Sequence, residues 1–180
     1  MSAKLERIRQ ELEAARRRLH QIAGRLTASQ WATRPAPGEW SVAECVAHLN
    51  LTSHAFLPLL DDAIGRGVAA ARGARYRMDI VGAFVWLTTA LRVPAKTTEP
   101  FVPQAVETQE VALREFDALQ DEIVRRLERA DGLDLTRLSL VSPFDARLRY
   151  NIYAALKLIA EHQRLHLRQA ERVARRSEAG

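Results

Sequence analysis

Residues 4–26 place Leu5, Ile8, Leu12, Ala15, Leu19, Ile22 and Leu26 at alternating spacings of three and four, with charged residues between them. That rhythm keeps one narrow apolar stripe on a helix and cannot match the two-residue period of a strand. A helix of this kind must cover its stripe with partners that carry stripes of their own. Three further stretches supply them. Cys45, His48, Thr52, Ala55 and Leu59 repeat the spacing, Leu113, Phe116, Ile123 and Leu127 share one side of a third helix, and Ile152, Ala155, Ile159, His162, His166, Gln169 and Val173 mark a fourth. No run of regular alternation points to a sheet. The reading is all-α: a helical bundle forming one domain over residues 1–180.

The second long helix has the best-defined start. Ser41 and Glu44 form an S-x-x-E capping box, with Trp40 before the cap and Cys45 placed to close a hydrophobic staple. Thr27 and Gln30 offer a similar box for one short turn, followed by a loop with Pro35, Pro37 and Gly38. Pro58 removes a backbone donor inside the second helix and is expected to kink it before Gly65 and Gly67 end it. Residues 65–102 form a long connection. It contains a basic glycine-bearing stretch, then the apolar run "MDIVGAFVWLTTAL" between Arg77 and Arg92, then "VPAKTTEPFVP", whose three prolines exclude a regular element. The apolar run is shorter than the roughly 20 residues a membrane span needs, so it reads as a short buried helix over about 78–92. The third and fourth helices are expected over about 104–130 and 148–175.

The net charge of +5 raises the possibility of nucleic-acid binding, but the basic residues are scattered. Those at 16–18, 125–126 and 175–176 lie near acidic residues on different helices, with no aromatic residues between them to stack on bases. Solvated helix faces explain them, and nucleic acid is not an expected partner. A single cysteine, Cys45, excludes an internal disulfide framework. The first residues are charged and carry no apolar signal region, so a cytoplasmic protein without a membrane segment is expected.

Histidines interrupt this plain picture. His162 and His166 stand one turn apart on the stripe of the last helix, and His48 holds a stripe position on the second, whereas His20 and His54 fall off the stripes. A buried imidazole without a partner costs about 1–3 kcal/mol for each unsatisfied group, and two a turn apart cannot both be charged cheaply. A divalent metal answers both objections by taking the lone pairs of neutral imidazoles. His48 lies seven residues after its cap and His166 about nine before the last helix frays. At about 1.5 Å per residue both sit about 10–14 Å from their helix ends, so they meet if those two helices are antiparallel. The long 65–102 connection permits that arrangement.

The segment "WSVAECVAH" (40–48), after its proline-containing loop, resembles the start of the second helix in DinB-like bundles, where a histidine follows W-S-x-x-E. "EHQRLHLRQ" is similar to the C-terminal H-x-x-x-H-x-x-Q of that family, and "TQEVALREFDALQDEIVRRL" and "VSPFDARLRYNIYAALKLIAEH" resemble its third and fourth helices. The likeness covers most of residues 5–175 and is weakest over 65–102. It implies a four-helix bundle of up-down-down-up connectivity, a divalent ion held by His48, His162 and His166, and a homodimer. Characterised members with which it shares this pattern include thiol-dependent S-transferases and isomerases.

Three histidines with open positions can activate a bound water or thiol. The leading expectation is therefore a metal-dependent enzyme, an S-transferase or hydrolase, acting on a small-molecule substrate with a low-molecular-weight thiol as a candidate cosubstrate. The alternative is a stress-related metal-binding or partner-binding bundle without turnover. Nickel, zinc, iron, manganese and copper all suit such ligands, and the sequence does not choose among them. Glu44 and Cys45 lie close enough to His48 to be added ligands, but the cap and the staple already account for them. Arg168 or Gln169, just past the histidine pair, could face the mouth of the site, but a solvated arginine and a stripe-filling glutamine are the preferred readings.

Overall fold

A computed structural model describes residues 1–70, 76–93 and 96–179. Part of the basic stretch (71–75) and of the proline-rich one (94 and 95) lies outside the described residues. Helix α1 (Ala3–Ala23) is capped by Ser2, whose hydroxyl accepts from the Leu5 amide, and it buries Leu5, Ile8, Leu12, Ala15, Leu19 and Ile22. It stops at Gly24, and Leu26 stays buried beyond its end, so the stripe outlasts the helix. The Thr27–Gln30 box opens the single turn α2 (Ala28–Ala32), which buries Trp31. The Ser41–Glu44 box opens α3 (Val42–Gly65), which runs through Pro58. Then come α4 (Ile80–Ala90), a 3-10 turn over Glu99–Phe101, and α5 (Gln109–Arg129), which ends ahead of Gly132 at φ +84.

Before the last helix the chain forms a small antiparallel ribbon that the sequence reading did not contain. Strands β1 (Ser139–Val141) and β2 (Arg149–Asn151) pair Ser139 with Asn151, Leu140 with Tyr150 and Val141 with Arg149. Helix α6 (Ile152–Ala179) follows directly, so the residues at 149–151 expected to begin it are extended instead.

Helices α1 and α3 each pack against both α5 and α6. Polar pairs show the order of contact along them. Asn50 meets Glu115 and Asp61 meets Arg126 and Arg129 between α3 and α5. Gln109 reaches the Ala23 carbonyl and Gln120 that of Leu12 between α5 and α1. Glu11 meets Lys157 and Arg18 meets Glu171 between α1 and α6.

The buried apolar residues fall into two clusters. One gathers Phe56, Leu60, Ile123, Leu127, Tyr150 and Ile159; the other gathers Trp31, Val46, Phe116, Leu167 and Val173. Along α6 the junction between them is polar, occupied by His162, Gln163 and His166. Gln120 holds the same junction on α5, and Asn50, Thr52 and Ser53 hold it on α3.

Helix α4 departs from its expected burial. Its Gly82 lies against α6, where an added Cβ would overlap the Cβ of Ala154 and press on Tyr150. Asp79 fixes its start, accepting from the Gly82 amide and from the Asn151 amide at the foot of α6. Yet Ile80 is 89% exposed, Phe84 66% and Leu91 68%. The run is apolar on all sides, so one face packs on α6 and the other remains open. Among the described residues no helix is long and apolar enough to cross a membrane.

Candidate metal centre

His48 is carried by the second turn of α3, just inside its capping box, and His162 and His166 by consecutive turns of α6. The structure brings the three together at the polar junction of the core. One nitrogen from each lies within 4.8 Å of the others, and Nε2 of His48 is 3.2 Å from Nε2 of His162. That spacing is close to the roughly 3 Å that two imidazoles keep when both bind one ion at about 2.0–2.1 Å. The ring centroids of His166 lie 4.4 Å from His48 and 4.6 Å from His162.

Outer contacts fix which nitrogens face inward. His48 Nδ1 lies 2.8 Å from the carbonyl of Phe101, which can only accept, so Nδ1 carries the proton and Nε2 presents a lone pair. His166 Nδ1 lies 3.2 Å from Oε1 of Gln169 and is set the same way. His162 rests against the ring of Phe144, centroid to centroid 5.4 Å, and Trp40 covers His48 at 5.1 Å and His166 at 6.0 Å. The result is a set of converging acceptors, answered from within only by the Nε2 proton that His162 can carry. This donor set fits a divalent ion that accepts imidazole.

The electrostatics agree. Burial lowers the pKa of His48, against a smaller opposing effect from the Phe101 carbonyl. Burial and then the charges of His166 and His48 push His162 well below 6.5, and burial followed by the charge of His48 brings His166 to about 3. All three are neutral near pH 7, the form that binds metal.

Other residues singled out in the sequence lie elsewhere or serve the frame. Glu44 caps α3 and pairs with Arg34, and Cys45 is buried with its thiol pushed up to about 12; neither belongs to the three-histidine group. His20 pairs with Asp117 and His54 with Glu115, both exposed. The arginines at 16, 125 and 175 sit on different helices and each faces a carboxylate, Asp121, Glu122 and Glu171 respectively. Gln169 does more than fill the stripe: it lines the cavity and orients His166. Its i+3 spacing from that histidine was the available signal. The Phe101 carbonyl had none, being a backbone atom supplied by a 3-10 turn 53 residues away in sequence.

The site opens on a cleft of about 1280 Å³ between α3, α4 and α6. Its walls include Val85, Thr88 and Thr89 of α4 together with Phe144, Leu158 and Leu165. The arrangement can hold an ion at the floor of an open, partly apolar cavity.

The DinB superfamily matches over residues 11–170. No curated protein and no solved structure matches the chain.

Proposed function

Since the chain belongs to the DinB superfamily, we propose that it is a metal-dependent enzyme whose ion is held by His48, His162 and His166 and whose substrate is a small molecule bound in the adjoining cleft. The observation that carries this reading is the convergence of three neutral imidazoles on one point at the cleft floor. A divalent ion held by His48, His162 and His166 would supply the acidity to activate a water or thiol and the charge to polarise an electrophile, the chemistry of a hydrolase or of a thiol S-transferase. The family resemblance favours the thiol.

The chain's own residues have definable parts. Phe101 and Gln169 hold the protons of His48 and His166 on the outer nitrogens, so both rings offer lone pairs inward. Trp40 and Phe144 restrict the rings, and the aliphatic wall thins the water around the reacting atoms.

The frame we infer is a four-helix bundle of up-down-down-up connectivity within one domain over residues 1–180. Contacts that rise together along α3 and α5, and along α1 and α6, support parallel pairs, and those that run in opposite order along α1 and α5 support an antiparallel one. The meeting of His48 with His166 supports antiparallel α3 and α6. The open apolar face of α4 supports a homodimer that covers it. Sedimentation showing only monomer at micromolar concentration removes that last inference.

Elemental analysis of untagged protein, purified without metal resin, tests the centre. About one equivalent of metal is expected, lost in a folded His48→Ala/His162→Ala variant. Screening the loaded protein with small thiols and electrophiles then tests turnover. Metal without turnover across that screen would leave a metal-binding bundle and remove the enzyme reading.

A further inference from the structure

Cations on this molecule are mostly matched by carboxylates. Arg9, Arg16, Arg18, Arg34, Arg126 and Arg147 each lie within ion-pair distance of an acidic side chain. The cleft breaks that pattern. Arg92, Lys96, Arg172 and Arg176 line it against one carboxylate, Glu39, which Arg176 already engages at 2.6 Å. Among the described residues, neither Arg92, Lys96 nor Arg172 has an acidic partner. Arg172 makes one long contact, 3.4 Å, to the Arg168 carbonyl. Unopposed charges gathered along one concave rim raise the local concentration of anions.

Arg92 adds an independent observation. It stands at φ 56, the left-handed region that follows a helix end and that glycine normally fills. The amides of Arg92 and Val93 close the end of α4 by bonding to the carbonyls of Thr89 and Thr88, so the backbone needs a residue in this conformation. Glycine would serve that need better. An arginine held there keeps a guanidinium on the cleft wall at the expense of backbone comfort. Its charge is also felt by Arg168, whose guanidinium is lowered by burial and then by Arg164 and Arg92.

We propose that this rim anchors the anionic group, a carboxylate or a phosphate, of the small acid on which the protein acts. Arg172 lines the same cleft as His166 from a point six residues further along α6, an axial rise of about 9 Å, so the ligand carries its charge toward one end of the cleft, away from the atom placed over the histidines. The same cavity is lined by Val85, Phe144, Leu158 and Leu165, and its size suits a small molecule and not a duplex. This assignment rests on the reading of the cleft as a substrate site, but the rim itself binds without metal.

Calorimetric titration of metal-free protein with glutarate and with inorganic phosphate at low salt tests it, using wild type, Arg172→Gln, Arg92→Gly and, as a control outside the cleft, Arg137→Gln. Binding of at least one anion is expected, weakened about 5–20-fold in Arg172→Gln and Arg92→Gly and unchanged in Arg137→Gln. The better of the two anions tells carboxylate from phosphate. Arg92→Gly should melt at the same temperature or higher, which separates lost binding from lost folding. Equal affinity in wild type and both cleft variants overturns the proposal, and so does tighter retention of a DNA duplex than of either small anion. Zinc uptake without anion binding overturns this inference alone. Anion binding with no zinc uptake leaves it standing and removes the metal reading instead.

Discussion

His162 and Gln163 are neighbours on α6 and both enter the core, yet they belong to opposite kinds of polar cluster. Gln163 meets Gln120 in a closed exchange, each amide nitrogen bonded to the other's oxygen at 2.9 and 3.0 Å, with the Leu12 carbonyl taking a further proton. Its donors and acceptors balance, so nothing is asked of solvent or ligand. One residue earlier, three imidazoles gather acceptors that the protein leaves largely unanswered. A balanced cluster cements a core, whereas an imbalanced one at the floor of a cleft is a place where something binds.

The sharpest way to break that contrast is to remove imidazoles. The His48→Ala/His162→Ala variant should lose essentially all bound metal, and a Gln120→Leu/Gln163→Leu variant should keep it, both read by elemental analysis. Equal metal content in the two would erase the distinction.

Acid should separate the clusters next. The three histidines titrate below 6.5 in the folded protein and near 6.5 when unfolded, so the unfolded chain binds more protons as pH falls. Their contribution to the stability of metal-free protein is therefore complete above about pH 6.5 and is lost progressively toward pH 3, whereas the glutamine pair contributes no such dependence. Melting temperatures between pH 8 and pH 5 should drop for wild type and drop less for His162→Ala/His166→Ala. A flat wild-type profile would count against three neutral imidazoles with lowered pKa values.

Smaller effects test the supports. Gln169→Leu should weaken metal affinity about 10–100-fold by freeing the orientation of His166, measured by competition with a chelator of known affinity. Gln120→Leu should leave metal affinity unchanged but cost about 1–3 kcal/mol in urea unfolding, because it strands the Gln163 amide. The double leucine variant should recover most of that loss, since it removes both partners at once. If it fell below the single variant, the pair would be more than a balanced exchange.

Much of this was legible in the sequence because helices advertise themselves over many residues. The α1 stripe, the Ser41 cap and the stripe positions of His48, His162 and His166 all follow from local spacing, and they bring the three imidazoles to one level. The ribbon escaped notice because strands of three residues are too short to show alternation. The half-exposure of α4 escaped because an apolar run without periodicity does not say which side packs; only Gly82 marks the face toward α6. The cationic rim was invisible because Arg92, Lys96 and Arg172 come from separate segments. The glutamine exchange likewise joins residues 43 positions apart whose type predicts a solvated helix face.

Gly82 bears on how such a protein could diversify. Because the wall of the cleft rests on α6 at a point where no side chain fits, any residue larger than glycine there would push α4 outward and carry Val85, Thr88, Thr89 and Arg92 with it. The width of the cavity is thus governed from behind, by an atom that never faces the ligand. A single substitution at this position would widen the cavity while leaving the identity of every lining residue as it was.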